Sequence, residues 1–203
     1  GSGKTIAFGA PLVERVLQSQ AGKRREFGRS PRAIILAPTR ELALQIDRTI
    51  QPIARRVGLF TTQIYGGVPQ GRQVGALKKG VDIIIGTQIV AKGHNFPRLT
   101  LVGVIDSALG LQGADLRAAE RSFQLMRQVA GRAGRMPGER PGLALLQTHQ
   151  PEHPVIRAIL AGDDEGFWDA EAAMRRAAGM PPYGRLAGII LSHPDPGVLA
   201  DFA

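Results

Sequence analysis

Hydrophobic and polar positions along the chain switch repeatedly between a helical period and the continuous apolar runs of buried strands. Ile6 to Gln18 has apolar residues at three- and four-residue spacing and predicts a helix, opened directly by Gly1-Ser2-Gly3-Lys4-Thr5. Gln20 to Pro31 is polar and basic and predicts a loop. Ala33-Ile34-Ile35-Leu36-Ala37 is unbroken apolar sequence, as in a strand of a parallel sheet covered on both faces, and a helix follows from Arg40 to Val57. The same grammar recurs as a strand at Leu59 to Tyr65, ended by Gly66-Gly67, a helix at Gln70 to Lys79, and a strand at Val81 to Gly86. Further strands are predicted at Leu101 to Asp106 and Leu143 to Thr148, with an amphipathic helix from Ala114 to Gly131 between them. Asp164 to Gly179 predicts a helix stopped by Pro181-Pro182, and Leu186 to Ser192 a strand. Alternation of this kind predicts an α/β lobe, a parallel sheet flanked by helices, with the start of a C-terminal α+β unit after it.

Composition bounds what such a fold can carry. The 203 residues suit one lobe and part of a second unit, and 43% hydrophobic with 21% charged residues is ordinary for a folded chain. The absence of cysteine excludes a disulfide framework, a thiol nucleophile and cysteine-ligated zinc, so no zinc is expected. Four histidines without metal-ligand spacing offer no histidine-built metal centre. Lacking a leader-like start and an apolar run of about eighteen residues, the sequence reads as cytoplasmic, with no membrane partner. The net charge of +9 is uneven: through Gly86 there are 14 basic residues against 5 acidic, and from Thr87 onward 12 against 12. That excess suits a polyanion such as nucleic acid, and equally a solvated arginine-rich surface.

Gly1-Ser2-Gly3-Lys4-Thr5 has the chemistry of the back half of a phosphate-binding loop. Glycines turn backbone N–H groups toward a phosphate, the lysine adds a mobile positive charge, and the threonine hydroxyl can ligate magnesium. The following helix contributes its positive dipole end. A Gly-Ser-Gly start also occurs as a tag remnant, but the Lys-Thr pair and the helix favour the phosphate loop.

Pro38-Thr39-Arg40-Glu41-Leu42-Ala43, the pair Gly66-Gly67 and the strand Val81 to Thr87 occur in the order of three motifs of the DEAD-box RNA helicases. Residues 1 to about 86 resemble that superfamily-two group of paired RecA-like lobes. The resemblance implies ATP and Mg2+ as cofactors, and a nucleic-acid backbone held by Pro38, Thr39, Arg40, Gly66 and Gly67. The residues agree physically: a strand ending at a capping threonine can present N–H groups and Arg40 to a phosphate. Arg40 could equally form a helix-surface ion pair with Glu41 or Asp47.

From Gly86 the sequence Gly86-Thr87-Gln88-Ile89-Val90-Ala91-Lys92-Gly93-His94-Asn95-Phe96 departs from the DEAD-box pattern and resembles motif V of the primosomal replication-restart DNA helicases. Ala114 to Arg121, Gln128-Val129-Ala130-Gly131-Arg132-Ala133-Gly134-Arg135, Leu146 to His149, Pro151 to Pro154 and Gly179 to Tyr183 extend this likeness over about residues 84 to 203. The resemblance implies Arg135, with Arg132 beside it, as an arginine finger on the γ-phosphate, and Gln128 as the link from nucleotide to lobe interface. It implies that Gly86, Thr87 and Lys92 hold the DNA backbone, that DNA is favoured over RNA, and that other primosome proteins are partners. Plainer readings are a helix end capped by cations and a strand-end turn with a solvated lysine. His94 has no spaced metal partner and reads as a loop residue.

Asp106 ends an apolar strand, as an aspartate that ligates magnesium does. In the primosomal family the strand continues Asp-Ala-Asp, whereas here it is Asp106-Ser107-Ala108. Taken as a DEAD-box strand instead, Ser107 stands where a water-activating glutamate belongs. Both readings imply an impaired site, and a bland strand-end aspartate fits as well. The two resemblances meet at Ile83 to Thr87, so the sequence reads as a hybrid RecA-like lobe, divided as 1–86, 87–150 and the C-terminal beginning 151–203. The implied function is that of an ATP-dependent helicase fragment for DNA unwinding in replication restart. RNA remodelling, a basic nucleic-acid-binding module without turnover, or an inactive fragment are the other readings. With Lys4 and Arg135 on one lobe, the arginine could reach nucleotide only from a second copy, or not at all.

Overall fold

Ala33, Ile34, Ile35 and Leu36 are all buried, which is possible only for a strand covered on both faces and paired on both edges. This strand, β1 (Ala33–Leu36), lies at the centre of a five-stranded parallel sheet in the computed structural model. The structure describes residues 2–20, 28–67, 70–91, 96–111, 115–131, 133, 142–187, 192–195 and 197. The other strands are β2 (Thr61–Ile64), β3 (Ile83–Gly86), β4 (Leu101–Val104) and β5 (Leu143–Leu146), in the spatial order β2-β3-β1-β4-β5. Ala33 is in register with Ile83 on one side and Leu101 on the other. Strands from both sides of the Gly86–Thr87 junction therefore share one sheet.

Side chains alternate across the strands and divide the core into two layers. Ile35, Ile83, Ile85 and Leu101 pack with Leu12, Val13 and Val16 of α1 (Ser2–Gln20) and Ile46 and Ile50 of α2 (Arg40–Arg56). Ile34, Leu36, Ile84 and Val102 pack on the other face, with Leu77 of α3 (Gln70–Lys79) and Leu125 and Val129 of α4 (Ala118–Ala130). Contacts divide the chain into residues 1–159 and residues 160–203. The first unit ends within α5 (Pro154–Ala161), and the second contains α6 (Asp164–Ala177), capped by Asp163, whose carboxylate accepts from the Gly166 N–H at 2.9 Å.

Among the described residues, all five strands and five of the six α-helices stand where the periodicity predicts them, with shorter strand ends. Helix α1 starts earlier than expected, at Ser2, and continues through Pro11. Helix α5 was not foreseen, although Pro154 in its first turn and Val155, Ile156 and Ile159 at helical spacing announce it. The strand expected at 186–192 is not formed at Leu186 or Ala187, which are irregular, and residues 188–191 lie outside the described ones.

The amino edge of the sheet is closed by a buried carboxylate. Asp82 is wholly buried; its Oδ1 accepts from Arg29 Nε at 2.6 Å and Gln20 Nε2 at 2.5 Å. Its Oδ2 accepts from Arg29 Nη2 at 2.6 Å and the Phe60 N–H at 2.7 Å. Four donors saturate the carboxylate and tie α1, the β2 approach and the segment before β1 to the start of β3. Removing the acid strands a guanidinium that is mostly withdrawn from water, a change that costs about 3–5 kcal/mol in comparable buried pairs. Asp82→Ala is therefore expected to lower unfolding free energy by about that amount in urea titration, and a loss under 1 kcal/mol would contradict the clamp.

Candidate nucleotide and nucleic-acid edge

Helix α1 runs against the direction of the strands. Its last residue, Gln20, reaches Asp82 at the amino edge, while Ala7 and Phe8 border Ile105 and Gln147 just past the carboxyl ends of β4 and β5. The amino end of α1, with Gly3, exposed Lys4 and buried Thr5, is thereby directed to the carboxyl edge. The sequence-predicted Gly1 lies outside the described residues, and Ser2 is the first residue of the helix.

Thr39 ends the segment after β1 in extended backbone (φ −129°, ψ 157°), and its hydroxyl accepts from the Leu42 N–H at 3.2 Å. That is an N-cap, and Glu41 in the first turn complements the helix dipole. Pro38, Thr39 and Arg40 are exposed on the same carboxyl edge. Arg40 forms no ion pair with Glu41 or Asp47, contrary to the surface-pair reading. Its guanidinium lies 4.5 Å from the centre of the Tyr65 ring, and Asp47 is buried and bonded to Thr61 Oγ1 at 2.6 Å and Gln63 Nε2 at 2.5 Å.

Gly66 and Gly67 are exposed after β2, and Gly67 has φ +81°, a conformation that disfavours any side chain. Gly86 differs: it is buried, and a Cβ there would lie 2.0 Å from the Ile64 carbonyl oxygen and 2.5 Å from Val90 Cγ2. Close strand packing accounts for that glycine. Thr87 donates its N–H to the Ile64 carbonyl at 3.2 Å and begins the turn at Gln88–Ala91. Lys92 and His94 lie outside the described residues.

Asp106 is the one non-glycine among the described residues with positive φ, at 50°. Such backbone is disfavoured for a side chain with a Cβ and persists where neighbours hold it. Here the holder is Gln147, just past β5: its side-chain Oε1 accepts the Asp106 N–H at 2.8 Å, and its carbonyl accepts the Ser107 N–H at 2.9 Å and the Ser107 hydroxyl at 3.1 Å. Ser107 is thus a structural tie with its hydroxyl engaged. Asp106 Oδ1 is buried without a hydrogen-bond partner, and His149 Nδ1 is 3.9 Å away. A strained aspartate with an unanswered oxygen fits a cation ligand better than a bland strand end.

Beside Asp106 opens a cleft of about 300 Å³, bounded by Pro38 after β1, Gln88 after β3, Asp106 and Ser107 after β4, and Met126 of α4. It falls where strand order reverses: the chain goes from β1 to β2 and β3 on one side, then crosses to β4 on the other. Ligand crevices of open α/β sheets occur at such a point. Gln128 is exposed on α4, near its end, while Arg132 and Arg135 lie outside the described residues. Gln147, Tyr65 and Gln63 were not expected as site residues. The alternation Thr61, Gln63, Tyr65, polar where a buried strand would be apolar, was the available signal for the latter two.

The comparisons with known proteins agree with this architecture. A model of the DEAD/DEAH box helicase family matches residues 1–106. The chain belongs to that family. Its ancestry is therefore that of an ATP-dependent superfamily-two helicase, and the matched span runs through β4 to Asp106. Replication restart protein PriA of Rickettsia conorii is 51% identical over 112 residues, 55% of this chain and 17% of that protein. PriA of Bacillus subtilis is 46% identical over 112 residues, 55% of this chain and 14% of the relative. The chain thus spans under a fifth of the length of the curated relatives it matches. Among solved structures, the yeast DEAD-box splicing factor Prp28 superposes with a TM-score of 0.60 at 23% identity, covering 80% of this chain and 37% of the other. A DEAD box protein from Methanococcus jannaschii gives 0.55 at 23% identity, over 77% and 39%. These likenesses show a RecA-like fold. No helix among the described residues is long and apolar enough to cross a membrane.

Strain and an unanswered carboxylate oxygen at one residue oppose stability. Asp106→Asn keeps a side chain that tolerates the left-handed region while removing the charge, and is expected to raise unfolding free energy by about 1 kcal/mol. The same variant is expected to lose any magnesium-dependent rise in melting temperature. A destabilised variant that keeps the magnesium response would contradict this role.

Proposed function

We propose that this chain binds ATP with magnesium and a nucleic-acid strand along the carboxyl edge of one sheet, as the nucleotide-handling lobe of a replication-restart type DNA helicase. The observation that carries the reading is the convergence on that edge of the amino end of α1, Thr39, Arg40, Gly66, Gly67, Thr87 and Asp106. Gly3, Lys4 and Thr5 hold phosphate oxygens through backbone N–H groups, a lysine charge and a hydroxyl. Asp106 and Thr5 hold magnesium, which when bound offsets negative charge on the phosphates. Pro38, Thr39, Arg40, Gly66, Gly67, Thr87 and Lys92 hold the nucleic-acid backbone, with Gly86 contributing by letting β2 and β3 approach. Arg132 and Arg135, beyond α4, supply guanidinium groups to the phosphates of a second copy, and Gln128 couples nucleotide to that contact. The two parts, 1–86 and 87–150, act as one hybrid lobe, and 151–203 begins a further unit. The PriA likeness supports a place of work in the cytoplasm, with primosome proteins as partners.

Ser107, with its hydroxyl tied to Gln147, offers no carboxylate to activate water, so hydrolysis is slow. RNA as the strand is the second reading, favoured by the DEAD/DEAH match over residues 1–106. Both predict ATP hydrolysis stimulated by a strand, with forked DNA outperforming an RNA duplex of the same sequence on the first. Lys4→Ala is expected to lower stimulated turnover about a hundredfold, and specific activity is expected to rise with protein concentration if Arg135 acts across copies. Strand binding without turnover in the wild-type chain would instead make it a binding module and overturn the motor reading.

A further inference from the structure

We propose that Tyr65 is a positioning residue for nucleic-acid binding: its ring holds the Arg40 guanidinium in place for a backbone phosphate. This role rests on the nucleic-acid reading of the carboxyl edge given above. The geometry comes from two rows of side chains that face each other. Thr61, Gln63 and Tyr65 alternate along and just past β2 and so share one face of the sheet. Arg40 and Asp47 are seven residues apart on α2, two turns, and so share one face of the helix.

The two rows meet rung by rung. At the lower rung, buried Asp47 accepts from Thr61 Oγ1 at 2.6 Å and Gln63 Nε2 at 2.5 Å. At the upper rung, the Arg40 guanidinium lies 4.5 Å from the centre of the Tyr65 ring. Between them the Tyr65 hydroxyl stands 3.4 Å from Gln63 Oε1, a long donor–acceptor contact. The buried rung fixes α2 against β2, and the exposed rung uses that fixed spacing to seat the arginine.

Seating matters because an exposed arginine has many rotamers, and ordering them on binding opposes affinity. A guanidinium stacked on a ring keeps its N–H edge free for phosphate while its flat face is occupied. Gly66 and Gly67, directly after Tyr65, leave space for a strand to approach beside it. The occupant is a phosphodiester backbone: a guanidinium, a capping threonine and two side-chain-free residues are exposed together here, and Glu41, exposed in the first turn of α2, is not paired with Arg40.

The test is a double-mutant cycle on the full chain, read as Kd for a fluorescein-labelled single-stranded dT20 at several salt concentrations. Arg40→Ala is expected to weaken binding about tenfold and to reduce the slope against log salt by about one. Tyr65→Leu is expected to weaken binding about threefold to fivefold in the wild-type background and to add little in the Arg40→Ala background. Tyr65→Phe, which keeps the ring, is expected to bind nearly as the wild type. Arg40→Lys, at an exposed position that leaves the fold untouched, keeps the charge but not the planar stack, and is expected to lose several-fold.

Full additivity of Tyr65→Leu with Arg40→Ala would overturn the role, because the ring would then touch the strand itself. Wild-type affinity of Tyr65→Leu and Arg40→Lys, with Arg40→Ala still weakened, would overturn the positioning while leaving the nucleic-acid reading standing. Unchanged affinity of Arg40→Ala would overturn that reading. Should Tyr65→Leu fail to fold, Tyr65→Phe and Arg40→Lys still decide the question, since a loss in the first or none in the second contradicts the proposal.

Discussion

Strand β1 is hydrogen-bonded along both edges, to β3 on one side and β4 on the other, in a shared register that begins at Ala33. Its four residues must therefore be apolar on both faces, and the chain must leave β1 toward β2 and return past it to β4. The reversal opens a crevice above the carboxyl ends of β1 and β4, because the connections that follow them diverge. Pro38 and Asp106 sit on its two lips for that reason. The helices follow suit: α1 and α2 cover one face, α3 and α4 the other, and each helix that succeeds a strand begins at the carboxyl edge.

The two edges of the sheet have opposite chemistry. At the amino edge Asp82 has four donors on its two oxygens and is shut away from water. At the carboxyl edge Asp106 has a buried oxygen with no donor and a backbone in the left-handed region. One aspartate is satisfied by the fold, and the other is held by it in a state that a ligand would satisfy. Gln147 supplies the restraint, through three hydrogen bonds from one residue, so the strain at Asp106 is maintained from β5 rather than by its own strand.

Much of this was legible in the sequence. Continuous apolar runs marked the strands because a doubly covered parallel strand has no polar face, and the helical periods marked five helices. Candidate residues Thr39, Gly67 and Asp106 were visible as strand-end punctuation, since capping, positive φ and strand termination are local properties. What stayed hidden depends on distant pairs. The contact of Arg40 with Tyr65, and that of Gln147 with Asp106, join residues 25 and 41 apart in the chain, and spacing carries no signal across such gaps. Local pattern also left Arg40 open between a phosphate contact and an ion pair with its nearby acids Glu41 and Asp47. Asp47 is turned inward to Thr61 and Gln63, which only the packing of α2 on β2 decides. Gly86 was assigned to binding by resemblance, whereas its missing side chain is already required by the Ile64 carbonyl.

The claim that one sheet edge serves both nucleotide and strand is tested most directly by amide hydrogen exchange on the full chain, alone, with magnesium and ATP, and with dT20. The account predicts that magnesium–ATP slows exchange in the first turns of α1 and at residues 105–108, and that dT20 slows it at residues 38–42 and 65–67. Exchange around residues 80–82, at the clamped amino edge, is predicted to be unchanged by either. Protection confined to that amino edge, or none anywhere at saturating ligand, would contradict the account.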